Sequence, residues 1–163
     1  MSRATSPALV ALDDAARDAV AAGLAAGLRG SVDGLAADVV RRWWRLVATD
    51  TFDAWLIDWP AGTEVPRHDH DGAAASICVV RGRLVETRFE ADGPTSASLR
   101  PGEVHRVSSD ASHQIGNAAP DVATSIHVYS PPLRAMGFYD PSGVAVRSDP
   151  IDPAPALWNV ELP

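Results

Sequence analysis

The sequence predicts a mainly β protein, a sandwich or barrel with helices confined to its N-terminal flank. Two observations carry this. From Phe52 onward, short apolar runs alternate with turns rich in Gly, Pro, Asp and Ser, the pattern of many short strands. Before Phe52, apolar residues recur at three- and four-residue steps, the spacing of amphipathic helices.

The first helix is expected over residues 7–29, where Leu9, Leu12, Ala16, Val20, Leu24 and Leu28 form one stripe. Ser6-Pro7 suits its start and Gly30 its stop. A second is expected over residues 32–47, from Leu35, Val39, Trp43 and Val47, with Ser31 as cap. Strands are expected over 52–59, 64–70, 76–81, 82–90, 96–100, 103–108, 114–117 and 124–129. The Pro- and Asp-rich tail, 140–163, reads as an irregular wrap. The organisation is a single domain over 1–163: a helical part to 48, a β core over 52–139, and the tail.

Composition sets the limits. At 163 residues the chain can bury a core without staples. Its net charge is −7 and it contains no Lys, which argues against nucleic acid or an anionic membrane surface as partner. Basic work falls to Arg, whose fork suits paired bonds to a carboxylate. Cys78 is the one cysteine, so no internal disulfide forms and nothing signals secretion. Asp13 and Asp14 interrupt the early apolar stretch, unlike a signal peptide. A cytoplasmic monomer is the expectation.

All five His residues, 68, 70, 105, 113 and 127, fall in the β region. His68-Asp69-His70 places two imidazoles at i and i+2, on one strand face, where they can chelate one divalent ion. The Gly62-x5-His-x-His spacing resembles the first metal motif of the cupins. A third ligand must come from a distant strand. His105 follows Pro101-Gly102, and His113 stands in a His-x3-Asn pattern with Asn117. His113 is preferred, because it opens a strand after the polar turn Ser108-Ser109-Asp110. The Glu usual in the first motif is replaced by Ala75. Three neutral imidazoles leave an ion its full charge, which favours an anionic donor such as a thiolate. Three His ligands also suit Zn, so a zinc, manganese or nickel enzyme is a rival. A sensor that binds without turnover is another.

Ser125, His127 and Tyr129 fall at i, i+2 and i+4, again one strand face. Such a row can pass hydrogen bonds from hydroxyl to imidazole to phenol. Together with the His residues, the absent Glu and Ser130-Pro131-Pro132, this row resembles the cysteine dioxygenase family, of the bacterial type, from about Trp43 to Tyr139.

The resemblance implies a cupin, jelly-roll-like β-barrel with N-terminal helices on the flank. It implies Fe(II) held by His68, His70 and His113, and a catalytic Tyr129 oriented by His127 and Ser125. It implies a cis Ser130–Pro131 peptide. Arg45, in Trp43-Trp44-Arg45, matches the family's helical arginine that grips the substrate carboxylate, which tilts the substrate toward cysteine over 3-mercaptopropionate. The expected reaction adds both atoms of O2 to a small thiol, giving a sulfinate. Animal members crosslink a Cys to the phenol. Ala75 holds that place here and Cys78 lies on the other pleat, so no crosslink is expected.

Overall fold

The computed structural model describes residues 10–32, 40–151 and the backbone of 158–159. One helix, α1 (Asp14–Leu28), precedes twelve strands: β1 (Arg42–Ala48), β2 (Asp53–Trp59), β3 (Glu64–His68), β4 (Ala74–Arg81), β5 (Leu84–Glu90), β6 (Gly93–Leu99), β7 (Val104–Val107), β8 (His113–Gly116), β9 (Ala123–Ser130), β10 (Ala135–Tyr139), β11 (Ala145–Pro150) and β12 (Trp158–Asn159). They form two six-stranded sheets, ordered β12-β1-β2-β9-β4-β7 and β11-β10-β3-β8-β5-β6. The pairings are antiparallel except β1 with β12. The sheets do not close into the expected barrel. They face one another as a two-layer jelly-roll-like sandwich.

Every residue of β2 and β9 is buried, because the first sheet is covered on both sides. Trp55, Ile57, Trp59, Ile77, Val79 and Tyr129 face the second sheet. Ala54, Leu56, Cys78, Val80, Ile126 and Val128 face α1. Strands covered twice read as continuous apolar runs rather than alternating ones.

The helix fits that outer face because its inward positions are small. Ala21 and Ala25 are buried at i and i+4, one turn beyond buried Arg17. Asp13 caps it, accepting from the Ala16 amide at 2.8 Å. Arg17 Nε donates to Ser76 Oγ at 3.1 Å, and Ser76 Oγ donates to Asp18 at 2.6 Å. The expected flanking position of this helix is therefore observed. Its expected start at Ser6-Pro7 is corrected: the described residues 10–13 are not helical, and the helix begins at Asp14 because Asp13 caps it.

Two further expectations fail. The second helix does not exist over 42–48: that stretch is strand β1, paired with β2 from Arg42↔Asp58 to Ala48↔Asp53. Residues 33–39 of the expected helix lie outside the described residues. The tail is also not wholly irregular, since β11 pairs with β10 from Ala135↔Pro150 to Tyr139↔Ala145. The described part of β12 lies against β1.

Candidate metal centre

His68 ends β3, His70 lies two residues beyond it, and His113 opens β8, the strand paired with β3. The three rings offer one nitrogen each, all within 4.8 Å of one another, and all three residues are buried. The loop carrying His70 is held by Asp69. Its carboxylate accepts from the Asp71 amide, the Gly137 amide and the Tyr139 hydroxyl. A Cβ at Gly137 would stand 2.8 Å from that carboxylate, so only Gly lets β10 approach so closely.

Hydrogen bonds fix which nitrogen two of the rings present. His68 Nδ1 donates to the Pro66 carbonyl at 2.8 Å. His113 Nδ1 donates to Glu86 Oε1 at 2.8 Å. Both rings therefore turn an Nε2 lone pair inward. His70 Nε2 lies 3.3 Å from His113 Nε2, while its buried Nδ1 has no partner. Burial, and then the neighbouring His113 ring, push the His68 imidazole down to about 3. The same causes hold His70 well below its ordinary value. Three buried imidazoles converging on one point are the donor set a divalent transition metal requires, so these residues fit such an ion. Asn117, in contrast, serves the fold: its amide donates to the Trp59 and Asp121 carbonyls at 2.8 and 2.7 Å.

Glu86 was not singled out from the sequence. It is 1% exposed and bonds Arg88 at 3.0 Å on its far side. Burial alone would raise its carboxyl, but the bonds from His113 and Arg88 outweigh this and hold it below the usual range. The ligand set itself is carboxylate-free, and a carboxylate stands one hydrogen bond behind it. The only sequence signal is that Glu86 takes an inward position of β5, in step with buried Leu84.

On the opposite sheet, Ser125, His127 and Tyr129 share the inner face of β9. His127 Nε2 lies 3.0 Å from Ser125 Oγ and its Nδ1 3.2 Å from the Tyr129 hydroxyl. Trp59 Nε1 donates to Ser125 Oγ at 2.9 Å. An indole can only donate, so Ser125 accepts there. Burial holds His127 well below its ordinary value, so the ring is neutral and bridges the serine and phenol hydroxyls through its two nitrogens. In the tautomer protonated at Nδ1 it accepts from Ser125 and donates to Tyr129, which leaves the phenol hydrogen free. Tyr129 packs edge-on against His70, with ring centroids 5.0 Å apart. Burial, then Asp53, raise its pKa, so it stays protonated. Ala75 is the cross-strand neighbour of Tyr129, and Cys78 faces α1, so no thiol adjoins the phenol. The Ser130–Pro131 peptide is cis.

Arg45 lies on β1, not on a helix. It pairs with Asp53 at 3.3 Å and rests over Trp55. It does not line the cavity beside the histidines. The cation that does is Arg41, whose guanidinium lies 5.0 Å from the Trp43 ring and 5.1 Å from the Trp59 ring. That cavity measures about 410 Å³, and His68, His127 and Tyr129 form part of its wall. His105 stands apart on β7, 3.6 Å from Glu103.

Two facing sheets with an inward cluster of three histidines define a cupin-type metal protein. The sequence over residues 35–142 matches the family cysteine dioxygenase type I, and the chain belongs to that family. No curated protein sequence matches significantly. Solved cupin structures share the fold. TT1209 from Thermus thermophilus is 18% identical with a TM-score of 0.53, covering 60% of this chain and 90% of its own. The cupin domain of Schizosaccharomyces pombe Cnp3 is 17% identical at 0.52, covering 61% and 66%. Oxalate decarboxylase of Lactobacillus farciminis, in a formate complex, is 16% identical at 0.54, covering 61% and 31%. Among the described residues, no helix is long and apolar enough to cross a membrane.

Proposed function

We propose that the protein is an Fe(II)-dependent dioxygenase of carboxylated thiols. The observation that carries this reading is the pairing of a carboxylate-free three-histidine set with a buried phenol that packs against His70 and is bonded through His127 to Ser125 and Trp59. His68, His70 and His113 would hold the iron. Bound there, the metal supplies open positions for a thiolate and for O2, and lowers the thiol pKa.

The remaining work belongs to the chain. Arg41 takes the carboxylate-binding role expected of Arg45, because its charge faces the cavity while that of Arg45 is spent on Asp53. No carboxylate pairs with Arg41 among the described residues, and burial pushes its pKa down, so an anionic substrate relieves a desolvated charge. Tyr129 donates a hydrogen bond to the reacting sulfur or oxygen. In the overall change a thiolate and O2 become a sulfinate: the O–O bond breaks and two S–O bonds form. Sulfur loses the four electrons that O2 gains. Cysteine, the substrate expected from the sequence, and 3-mercaptopropionate are small members of this class.

The test is O2 uptake by protein loaded anaerobically with Fe(II), presented with small thiols. Thiol-dependent uptake with sulfinate formation is expected, and Tyr129→Phe should lower kcat by about 10- to 100-fold while thiol binding persists. Stoichiometric zinc in protein purified under reducing conditions, with no uptake, would overturn the reading. Unchanged turnover in the phenylalanine variant would remove Tyr129 from it.

A further inference from the structure

The cavity holds more room, and of a different character, than cysteine uses. Its volume of about 410 Å³ lies in the range of roughly 300–1,000 Å³ typical of sites for drug-sized ligands. At about 30 Å³ per water, that is space for on the order of a dozen waters, whereas cysteine would displace only a few. The polar groups cluster at Arg41, His68, His127 and Tyr129. The rest of the described wall is apolar: Trp43, Trp55 and Ile57 from the first sheet face Val65, Ile115 and Met136 from the second.

These walls are built by register. Trp43 is the cross-strand partner of Ile57, and Val65 that of Ile115. They are therefore as fixed as the sheets. Trp55 is 5% exposed and Ile115 1%, so the apolar surface belongs to the core of the sandwich. Trp43, 55% exposed, and exposed Pro150 sit at a mouth. Apolar surface of this extent is solvated poorly by water and well by hydrocarbon or an aromatic ring.

We infer that the substrate is a mercaptocarboxylate with an apolar body of aryl or branched-alkyl size, its carboxylate on Arg41 and its side chain between the Trp43–Trp55–Ile57 and Val65–Ile115–Met136 walls. This rests on the dioxygenase reading for its chemistry and leaves the reaction unchanged: thiolate and O2 give the sulfinate, with no further reactant. The body of the molecule is what sets specificity. An added apolar group in such a site is worth about 10- to 200-fold per methylene-sized unit at best.

The experiment compares cysteine, 3-mercaptopropionate, a benzyl-substituted 3-mercaptopropionate and 2-phenylethanethiol on the Fe(II) protein. O2 uptake gives kcat/KM, and anaerobic quenching of tryptophan fluorescence gives binding. The benzyl-substituted acid is expected to exceed cysteine at least about tenfold in both readouts, and to exceed the carboxylate-free aryl thiol by a similar factor. Ile57→Phe, which narrows the cavity, should lower the ratio of benzyl acid to cysteine. Cysteine equal or superior in both readouts overturns the inference while leaving the dioxygenase reading standing. A ratio unmoved by Ile57→Phe also overturns it. No O2 uptake with any thiol sinks the dioxygenase reading alone, and the binding order then decides the ligand class by itself.

Discussion

Glu86 shows how one side chain conditions another. By accepting from His113 Nδ1 it fixes the tautomer that presents Nε2 to the metal, and its charge strengthens that nitrogen as a donor. Glu86→Gln keeps the shape and removes the charge. Affinity for Co(II), read from its absorption spectrum, should fall about 10- to 100-fold. Unchanged affinity would show that Glu86 only fills space. Asp53 makes a pH prediction. Burial raises its carboxyl from 3.8 to about 6, against the opposing Leu133 amide and Arg45. A raised folded pKa means the native state holds this proton more tightly than the unfolded chain. The penalty is absent below about pH 4, grows as pH rises toward 6, and is complete above. Asp53→Asn carries no such penalty. Chemical denaturation of both proteins should therefore show the variant gaining up to about 3 kcal/mol on the parent between pH 4 and 7. Parallel stability curves would place the titration elsewhere.

The strands divide by how much of their placement the sequence declares. β2, β4 and β9 were legible because their runs are apolar and bounded by turns. The row Ser125–His127–Tyr129 was legible because alternation alone puts i, i+2 and i+4 on one face. β1 was not. Val39, Trp43, Leu46 and Val47 satisfy a helical spacing, yet they lie in or beside a stretch rich in Trp and Val, residues that favour strands. Pairing with β2 decided it, with a bulge between Arg45 and Val47. The helical reading placed Arg45 on a helix, whereas it lies on β1 beside Asp53, and Arg41, just before that strand, lines the cavity. Glu86 was hidden for a different reason: it meets His113 across the β5–β8 pairing, 27 residues away, a contact no local pattern encodes. The turns permit a matched test. Gly62 and Gly82 share a positive φ, 75° and 73°, but a Cβ at Gly62 meets nothing, whereas at Gly82 it would stand 2.7 Å from Ala123 Cα. Gly62→Ala should cost about 1 kcal/mol, the backbone strain alone. Gly82→Ala should cost about 2–4 kcal/mol, because backbone must also move. Equal losses by denaturant titration would mean that the β4–β5 turn yields easily.

The site is assembled from two halves. His68, His113 and Glu86 lie on the sheet containing β3, β8 and β5, with His70 just past β3, while Ser125, His127, Tyr129, Trp59 and Arg41 belong to or adjoin the sheet containing β1, β2 and β9. On the proposed reading neither sheet carries the chemistry alone. An ion held by His68, His70 and His113 would join β3, the loop after it and β8. It should stabilise by mass action only, about 2.7 kcal/mol at a hundredfold excess over Kd, or a rise in Tm of roughly 5–11 °C for a chain of this length. A thiol carboxylate held by the ion at one end and Arg41 at the other spans the sheets, so its stabilisation should depend on both ends. Anaerobic thermal melts with Co(II), with thiol carboxylate, and with both, on the parent and on His113→Ala and Arg41→Ala, resolve this. The metal shift should vanish in His113→Ala and survive in Arg41→Ala. The further shift from the thiol should require the metal and be lost in Arg41→Ala. A thiol shift of full size without Arg41 would mean that the ligand rests on one sheet, and that the carboxylate role belongs to another cation.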